Sequence, residues 1–210
     1  MGIMNNIVAQ NPDYLFMIES ACKAPSGHNT QPWLFKIGVS EIDIYPDFSK
    51  ELPIVDPSHR ELFVSLGCAT ENLCIAAHEK GYHTEVKVIE NSFIRVLLTE
   101  GKEKLPDSLL FPQIAVRQTN KRVYNGEAIP ESTINILKMV PIEPSVSIHF
   151  YRNGTVDYDT IAGWVYAGNR LQMNDEAFKT ELTDWMRYNK KQQDNTRDGL
   201  SYATFGAPNI

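Results

Sequence analysis

No stretch of this 210-residue chain approaches the ~18 consecutive apolar residues of a membrane-spanning helix. Cysteine is scarce as well. Cys22, Cys68 and Cys74 are an odd number, include no Cys-x-x-Cys and exclude a disulfide framework. They read as packed thiols of a reducing compartment. Excess positive charge is also missing: 20 Lys and Arg against 26 Asp and Glu give a formal charge of −6. That balance excludes the broad cationic footprint of a general nucleic-acid binder, yet leaves room for a local basic pocket around one phosphate. His28, His59, His78, His83 and His149 fall at no metal-ligand spacing. Neither G-x-G-x-x-G nor G-x-x-x-x-G-K-[ST] occurs, so the common dinucleotide and P-loop signatures are excluded. The opening MGIMNNIVAQNPDY has no basic start followed by an apolar core, so no secretory signal is read and the cytoplasm is the default expectation.

What is present is globular. A hydrophobic share of 42% with 22% charged residues suits one domain able to bury a core without metal or disulfide help. Asn11-Pro12-Asp13 predicts a capped helix start running to about Lys23. Trp33–Val39 and Glu41–Tyr45 read as a hairpin across a tight turn. Asp56-Pro57-Ser58 opens a second helix ended by Gly81, rich in small residues over Ser65–Ala77 and expected to be buried against the core or a partner helix. Strands follow at Tyr82–Ile89 and Phe93–Thr99, with a polar seam expected at Gly101–Asp107. Beyond it the pattern predicts helices near Leu109–Arg117 and Glu131–Val140, an alternating strand at Val146–Arg152, and long helices at Thr155–Gln172 and Asp175–Asn189 before a final loop. The expected class is α+β, with helices covering a mainly antiparallel sheet.

Two segments carry chemistry. The first, Ala24-Pro25-Ser26-Gly27-His28-Asn29-Thr30-Gln31-Pro32-Trp33, is crowded with hydrogen-bonding groups and stiffened by proline on both sides. Asn29 offers a donor and an acceptor, as a flat heterocycle with carbonyls and imino nitrogens requires. The plainer reading is a structural turn capped by Ser26 and Asn29. The second segment, Arg117-Gln118-Thr119-Asn120-Lys121-Arg122, offers cations, a hydroxyl and an amide to a phosphate and a polar chain, although short basic clusters are more often solvated faces. Arg60 is expected to pair with Glu61 or Asp56, Trp33 to pack in the core, and Trp164, Trp185, Tyr166 and Tyr188 to serve a core or an interface.

APSGHNTQPWLFKI resembles the nitroreductase pattern A-P-S-x-x-N-x-Q-P-W-x-F, and AVRQTNKRVYNGEAIPESTINIL resembles that family's R-R-S-x-R segment followed by a proline and a helix. In ordinary nitroreductases the arginine–serine signature comes first; here it lies about ninety residues after the APS loop. That order resembles the Acg family of FMN-binding oxidoreductases, with tandem nitroreductase-like halves. Its H-N-T-Q-P-W, D-P-x-x-R-E-L, R-x-T-N-R-R and E-L-x-x-W-x-R patterns are matched, the third with Lys121 in place of its fifth-position arginine and the last by Glu181–Arg187. The resemblance implies a pseudo-duplicated nitroreductase-like fold, with a first half at 1–105 and an incomplete second half at 106–210, truncated or completed by a partner chain. It further implies that Arg117, Gln118, Thr119 and Lys121 hold the phosphate, ribityl chain and one ring edge of FMN, while Pro25, Ser26 and Asn29 reach the isoalloxazine. Gln118 and Thr119 replace the commoner arginine or histidine and serine. The mirror site lacks its partners, so one flavin per pseudo-dimer is expected.

Three functions follow. The leading one is an FMN-dependent oxidoreductase that takes hydride from NADH or NADPH and passes it to a small organic acceptor, with no side-chain catalyst, no nucleic acid, no membrane and a homodimer as the possible assembly. The second is a flavin-binding or flavin-sequestering protein without turnover, covered by the late helices. The third is a cofactor-free protein that keeps only the fold.

Overall fold

The computed structural model describes residues 2–3, 11–89, 92–101, 109–121 and 123–206. Asn11 accepts a hydrogen bond from Asp13 N–H and Pro12 sits in the first turn, so the first helix, α1 (Pro12–Ala21), starts where the sequence caps it. β1 (Gly2–Ile3) precedes it; β2 (Trp33–Ile37) and β3 (Glu41–Pro46) form the expected hairpin. α2 (Arg60–Glu79) begins after Asp56, whose carboxylate accepts from Leu62 N–H at 2.9 Å. Arg60 pairs with Glu61 at 3.0 Å. β4 (Tyr82–Ile89) and β5 (Phe93–Glu100) make a second hairpin. Strand order is β1-β2-β3-β5-β4, antiparallel throughout except for the β1–β2 pair.

Two compact units divide the chain: residues 1–121 with 180–210, and residues 122–179. The first unit holds the sheet and its core. Met17, Ile18 and Ala21 of α1, Phe35, Ile42 and Ile44 of the first hairpin, Leu66, Ala69 and Leu73 of α2, and Val96 of β5 are fully enclosed. Trp33 is buried among them, as expected. α2 buries Leu62, Ser65, Leu66, Ala69, Thr70, Leu73, Cys74, Ala76 and Ala77, but Phe63 and Val64 stay exposed, so one face of this helix is open. α3 (Phe111–Val116) docks by packing Phe111 against Phe16 of α1, with tilted rings 5.3 Å apart, and by burying Ile114. Burial pushes the Cys22 and Cys74 thiols above their ordinary pKa, which keeps them protonated and unreactive. No helix among the described residues is long and apolar enough to cross a membrane.

The second unit contains α4 (Glu131–Lys138) and α5 (Val156–Met173), whose first turn is capped by the Thr155 hydroxyl accepting from Tyr158 N–H. Neither helix buries a residue, and Trp164 and Tyr166 are exposed rather than in a core. Three expectations are corrected in the later chain. Val146–Arg152 is not a strand: alternation makes an extended segment possible, but a strand needs a ladder partner, and it has none among the described residues. The helix expected through Asn189 is α6 (Glu176–Asp184), stopping before Trp185. The expected final loop is built: β6 (Met186–Arg187) runs parallel to β7 (Leu200–Ser201), with α7 (Lys190–Thr196) between them and a short 3-10 turn at Tyr202–Phe205 after them. Of the expected seam, residues 102–107 lie outside the described residues, as do Arg122 and residues 207–210.

Candidate functional site

The loop after α1 is held by its own small side chains. Ser26 Oγ accepts from Gln31 N–H at 2.9 Å, and Asn29 N–H donates to the Ser26 carbonyl at 3.0 Å. Gly27 N–H donates to Ser65 Oγ on α2, which ties the loop to the core. A Cβ at Gly27 would meet Leu52 Cδ1 at 3.3 Å. The Ser26 hydroxyl therefore does the turn-capping that the plainer reading assigned to it. Between these ties the backbone is forced: His28, Asn29 and Gln31 have φ of 48°, 56° and 55°. Left-handed backbone at non-glycine residues costs roughly 1–2 kcal/mol each and persists only where the surroundings over-determine it.

His28 Nε2 is enclosed without a hydrogen-bond partner among the described residues. Burial lowers the His28 pKa, the Glu181 charge pulls it up and the Lys121 charge pushes it down, with a net shift below the ordinary value. Burial thus favours the neutral form of this imidazole.

That basic segment leaves α3 at Arg117, which the docked Phe111 and Ile114 bring beside the end of α1. Arg117 Nη2 reaches the Lys23 carbonyl at 3.4 Å, and Nη1 reaches Thr119 Oγ1 at 3.5 Å; both are long, weak contacts. Arg117, Gln118, Thr119 and Lys121 are all exposed, and neither Arg117 nor Lys121 forms an ion pair among the described residues. Pro25, Ser26 and Asn29 sit on the loop that begins just beyond Lys23. The two segments singled out in the sequence are therefore neighbours at the end of α1. Among the described residues, no hydrogen bond joins Gln118 or Lys121 directly to Pro25, Ser26 or Asn29.

The carboxy-terminal stretch adds residues that sequence reasoning did not place in the site. Glu181 spans two backbone donors, Ile54 N–H at 2.9 Å and Val55 N–H at 3.0 Å. Asp198 accepts from Lys50 at 2.5 Å and from Arg187 at 2.8 Å. Both cations also lie over the Trp185 ring, at 5.6 and 5.7 Å. The E-L-x-x-W-x-R residues thus fasten this stretch to the 47–55 region instead of presenting reactive groups. Burial works to raise the Asp198 carboxyl, but the hydrogen bonds from Lys50 and Arg187 outweigh it and hold its pKa below the ordinary carboxylate value. Asn29, Gln193, Asp194, Arg197, Asp198, Gly199 and Ser201 line an open cleft of about 350 Å³. Asn189 heading a polar run, followed by Arg-Asp-Gly, was the signal that could have revealed a capped helix and a turn here. Asn189 does accept from Gln192 N–H, and Gly199 has φ 81°.

With an α+β fold and this arrangement in hand, the chain can be set beside known proteins. It is 26% identical over 170 residues to two Mycobacterium tuberculosis proteins, from strains CDC 1551 / Oshkosh and ATCC 25618 / H37Rv, both provisionally named NAD(P)H nitroreductase. The match covers 79% of this chain and 48% of each relative, so the chain spans about half the length of the curated relatives it matches. No protein-family model matches it. The likeness supports a relation to the nitroreductase-like superfamily, with which the α+β fold agrees.

Proposed function

We propose that this chain is an FMN-dependent NAD(P)H oxidoreductase of nitroreductase type. The observation that carries the reading is the approach of the basic segment to the start of the APS loop, where Arg117 Nη2 reaches the Lys23 carbonyl at 3.4 Å. The donor set fits the cofactor. Two cations without counter-ions among the described residues, together with the Thr119 hydroxyl and the Gln118 amide, suit a phosphate and a polyol chain. Arg117 and Thr119 would bind the phosphate end; Pro25, Ser26 and Asn29 would orient the ring. Lys121 would offer a positive charge to the electron-rich edge of the bound ring. Bound FMN would supply hydride transfer from a nicotinamide to a small organic acceptor.

The same reading takes 1–105 as a first nitroreductase-like half and 106–210 as part of a second, with one flavin per pair and a homodimer as the assembly to be tested by light scattering. The test of function is titration of the purified chain with FMN, followed by NADH or NADPH under anaerobic conditions. Quenched flavin fluorescence and bleaching near the flavin absorption bands are expected. A chain that leaves FMN fluorescence unchanged would end the proposal.

A second reading, flavin binding without turnover, is favoured by one observation: Arg197 and Gly199 already hydrogen-bond the loop from which the ring would be read. FMN that binds but is not bleached by either nicotinamide would select it.

A further inference from the structure

One edge of the five-stranded sheet is β4, and among the described residues no strand pairs with its free side. Natural edges are commonly blunted by proline, a bulge or shortness. β4 has none of these: its 8 residues run in unbroken register with β5, from Tyr82 opposite Glu100 to Ile89 opposite Phe93. The direction of its free backbone groups follows from the ladder. Gly101 N–H donates to the Gly81 carbonyl at 2.8 Å, and Leu98 N–H donates to the Ser40 carbonyl at 2.8 Å. Odd-numbered residues of β5 therefore bond to β4, and even-numbered ones to β3. By the same alternation Glu85 and Lys87 spend their backbone groups on β5, while Thr84, Val86 and Val88 aim theirs outward. The Val86 and Val88 side chains stand 47% and 75% exposed, beyond the cover of α2. Beside Val86 lie one acid and one base, Glu85 and Lys87, which pair with each other at 3.3 Å with half or more of each side chain exposed.

This pattern is complementary to itself in one register. Two copies of β4 laid antiparallel with Val86 against Val86 set Thr84 opposite Val88 twice. These three outward-facing couples exchange two backbone hydrogen bonds each, about six in all. Between them Glu85 falls opposite Lys87 of the second copy, and Lys87 opposite its Glu85, at the closely spaced positions where side chains meet. The next register in either direction that keeps the outward groups paired sets Glu85 against Glu85 or Lys87 against Lys87, which is repulsive.

We propose that the β4 edge is a self-pairing surface whose occupant is β4 of a second copy of this chain, the two sheets joining about a two-fold axis at Val86. Pairing covers the exposed valines, satisfies the outward backbone groups and trades each ion pair within a strand for one between strands. The contact is small beside a standard protein interface, so the dimer is weak and depends on concentration. It uses none of the groups assigned to FMN and goes beyond that reading, so either can fail without the other.

Sedimentation velocity of the full chain from about 1 to about 200 µM brackets a contact of this size. Wild-type chain should move from monomer toward dimer across that range. Lys87→Glu turns two attractive couples into repulsive ones and should weaken association about tenfold or more. Adding Glu85→Lys to it reverses both signs and should restore association to within about threefold of wild type. Val86→Pro removes an outward N–H that β5 does not use; it should leave the far-ultraviolet circular dichroism of the monomer unchanged and abolish the dimer. Hydrogen exchange reads the alternation: the amides of Thr84, Val86 and Val88 should gain protection with concentration, while those of Glu85 and Lys87 stay protected throughout. Wild-type chain that stays monomeric over the whole range overturns the proposal. So does a dimer that survives both Lys87→Glu and Val86→Pro, since its contact then lies elsewhere. A charge-swapped double variant that associates as weakly as Lys87→Glu overturns the register. Should Val86→Pro fail to fold, the charge reversal and its rescue still decide the matter.

Discussion

The frame that carries the loop can be tested at one ion pair. Asp43 lies on β3, the central strand, with its side chain about 4% exposed. Its Oδ1 and Oδ2 accept from Arg95 Nε at 2.7 Å and Nη2 at 2.8 Å, across a β3–β5 register that sets the two residues opposite each other. Arg95→Met keeps most of the apolar stem and removes the guanidinium. The cost falls on Asp43, because a buried carboxylate stripped of its partner costs about 3–5 kcal/mol. Arg95 is about a third exposed, so water already screens the pair, and the low end of that range, about 3 kcal/mol, is the working figure for Asp43. Urea unfolding at pH 7, followed by far-ultraviolet circular dichroism, measures it. The double change Asp43→Leu with Arg95→Met should recover most of the loss, because the attraction and the desolvation of such a pair nearly cancel. A single variant costing under about 1 kcal/mol, or a double variant no better than the single, would refute the argument.

Three further outcomes follow from other parts of the fold. Phe35→Ala empties a fully enclosed ring site and should cost about 3–5 kcal/mol in the same unfolding assay. Because the folded Asp198 pKa is depressed, its stabilisation is complete above the ordinary carboxylate value of about 3.9 and is lost as pH falls through the lower folded value. Acid unfolding of Asp198→Asn should therefore be flatter than wild type below about pH 4, and parallel curves would contradict this. Arg117→Ala touches an exposed side chain with weak contacts, so it should leave thermal stability nearly unchanged while weakening FMN about 10- to 100-fold.

Legibility in the sequence followed the range of the forces involved. The cap at Asn11, the tight turns of the hairpins and the period of α2 are local, and each element they predict is present within a few residues. The alternation at 146–152 misled because period two describes one strand and says nothing of a neighbour to pair with. The stretch after Trp185 misled for the opposite reason. Its parallel β6–β7 pair and the grip of Asp198 by Lys50 join residues up to about 148 positions apart, which no window of sequence contains. The loop residues were visible as a polar, proline-bounded cluster, and the basic segment as a run of donors. The approach of Arg117 to Lys23 depends on Phe111 packing against Phe16, an event that has no signature in either motif.

Anaerobic addition of NADH or NADPH to the FMN-loaded chain, watched at the flavin absorption bands, is the most direct measurement of the account. It predicts a stoichiometric, saturable complex whose yellow colour bleaches on adding the nicotinamide and returns with an organic acceptor. Free FMN recovered unchanged from the mixture by gel filtration, with no colour travelling with the protein, would contradict it.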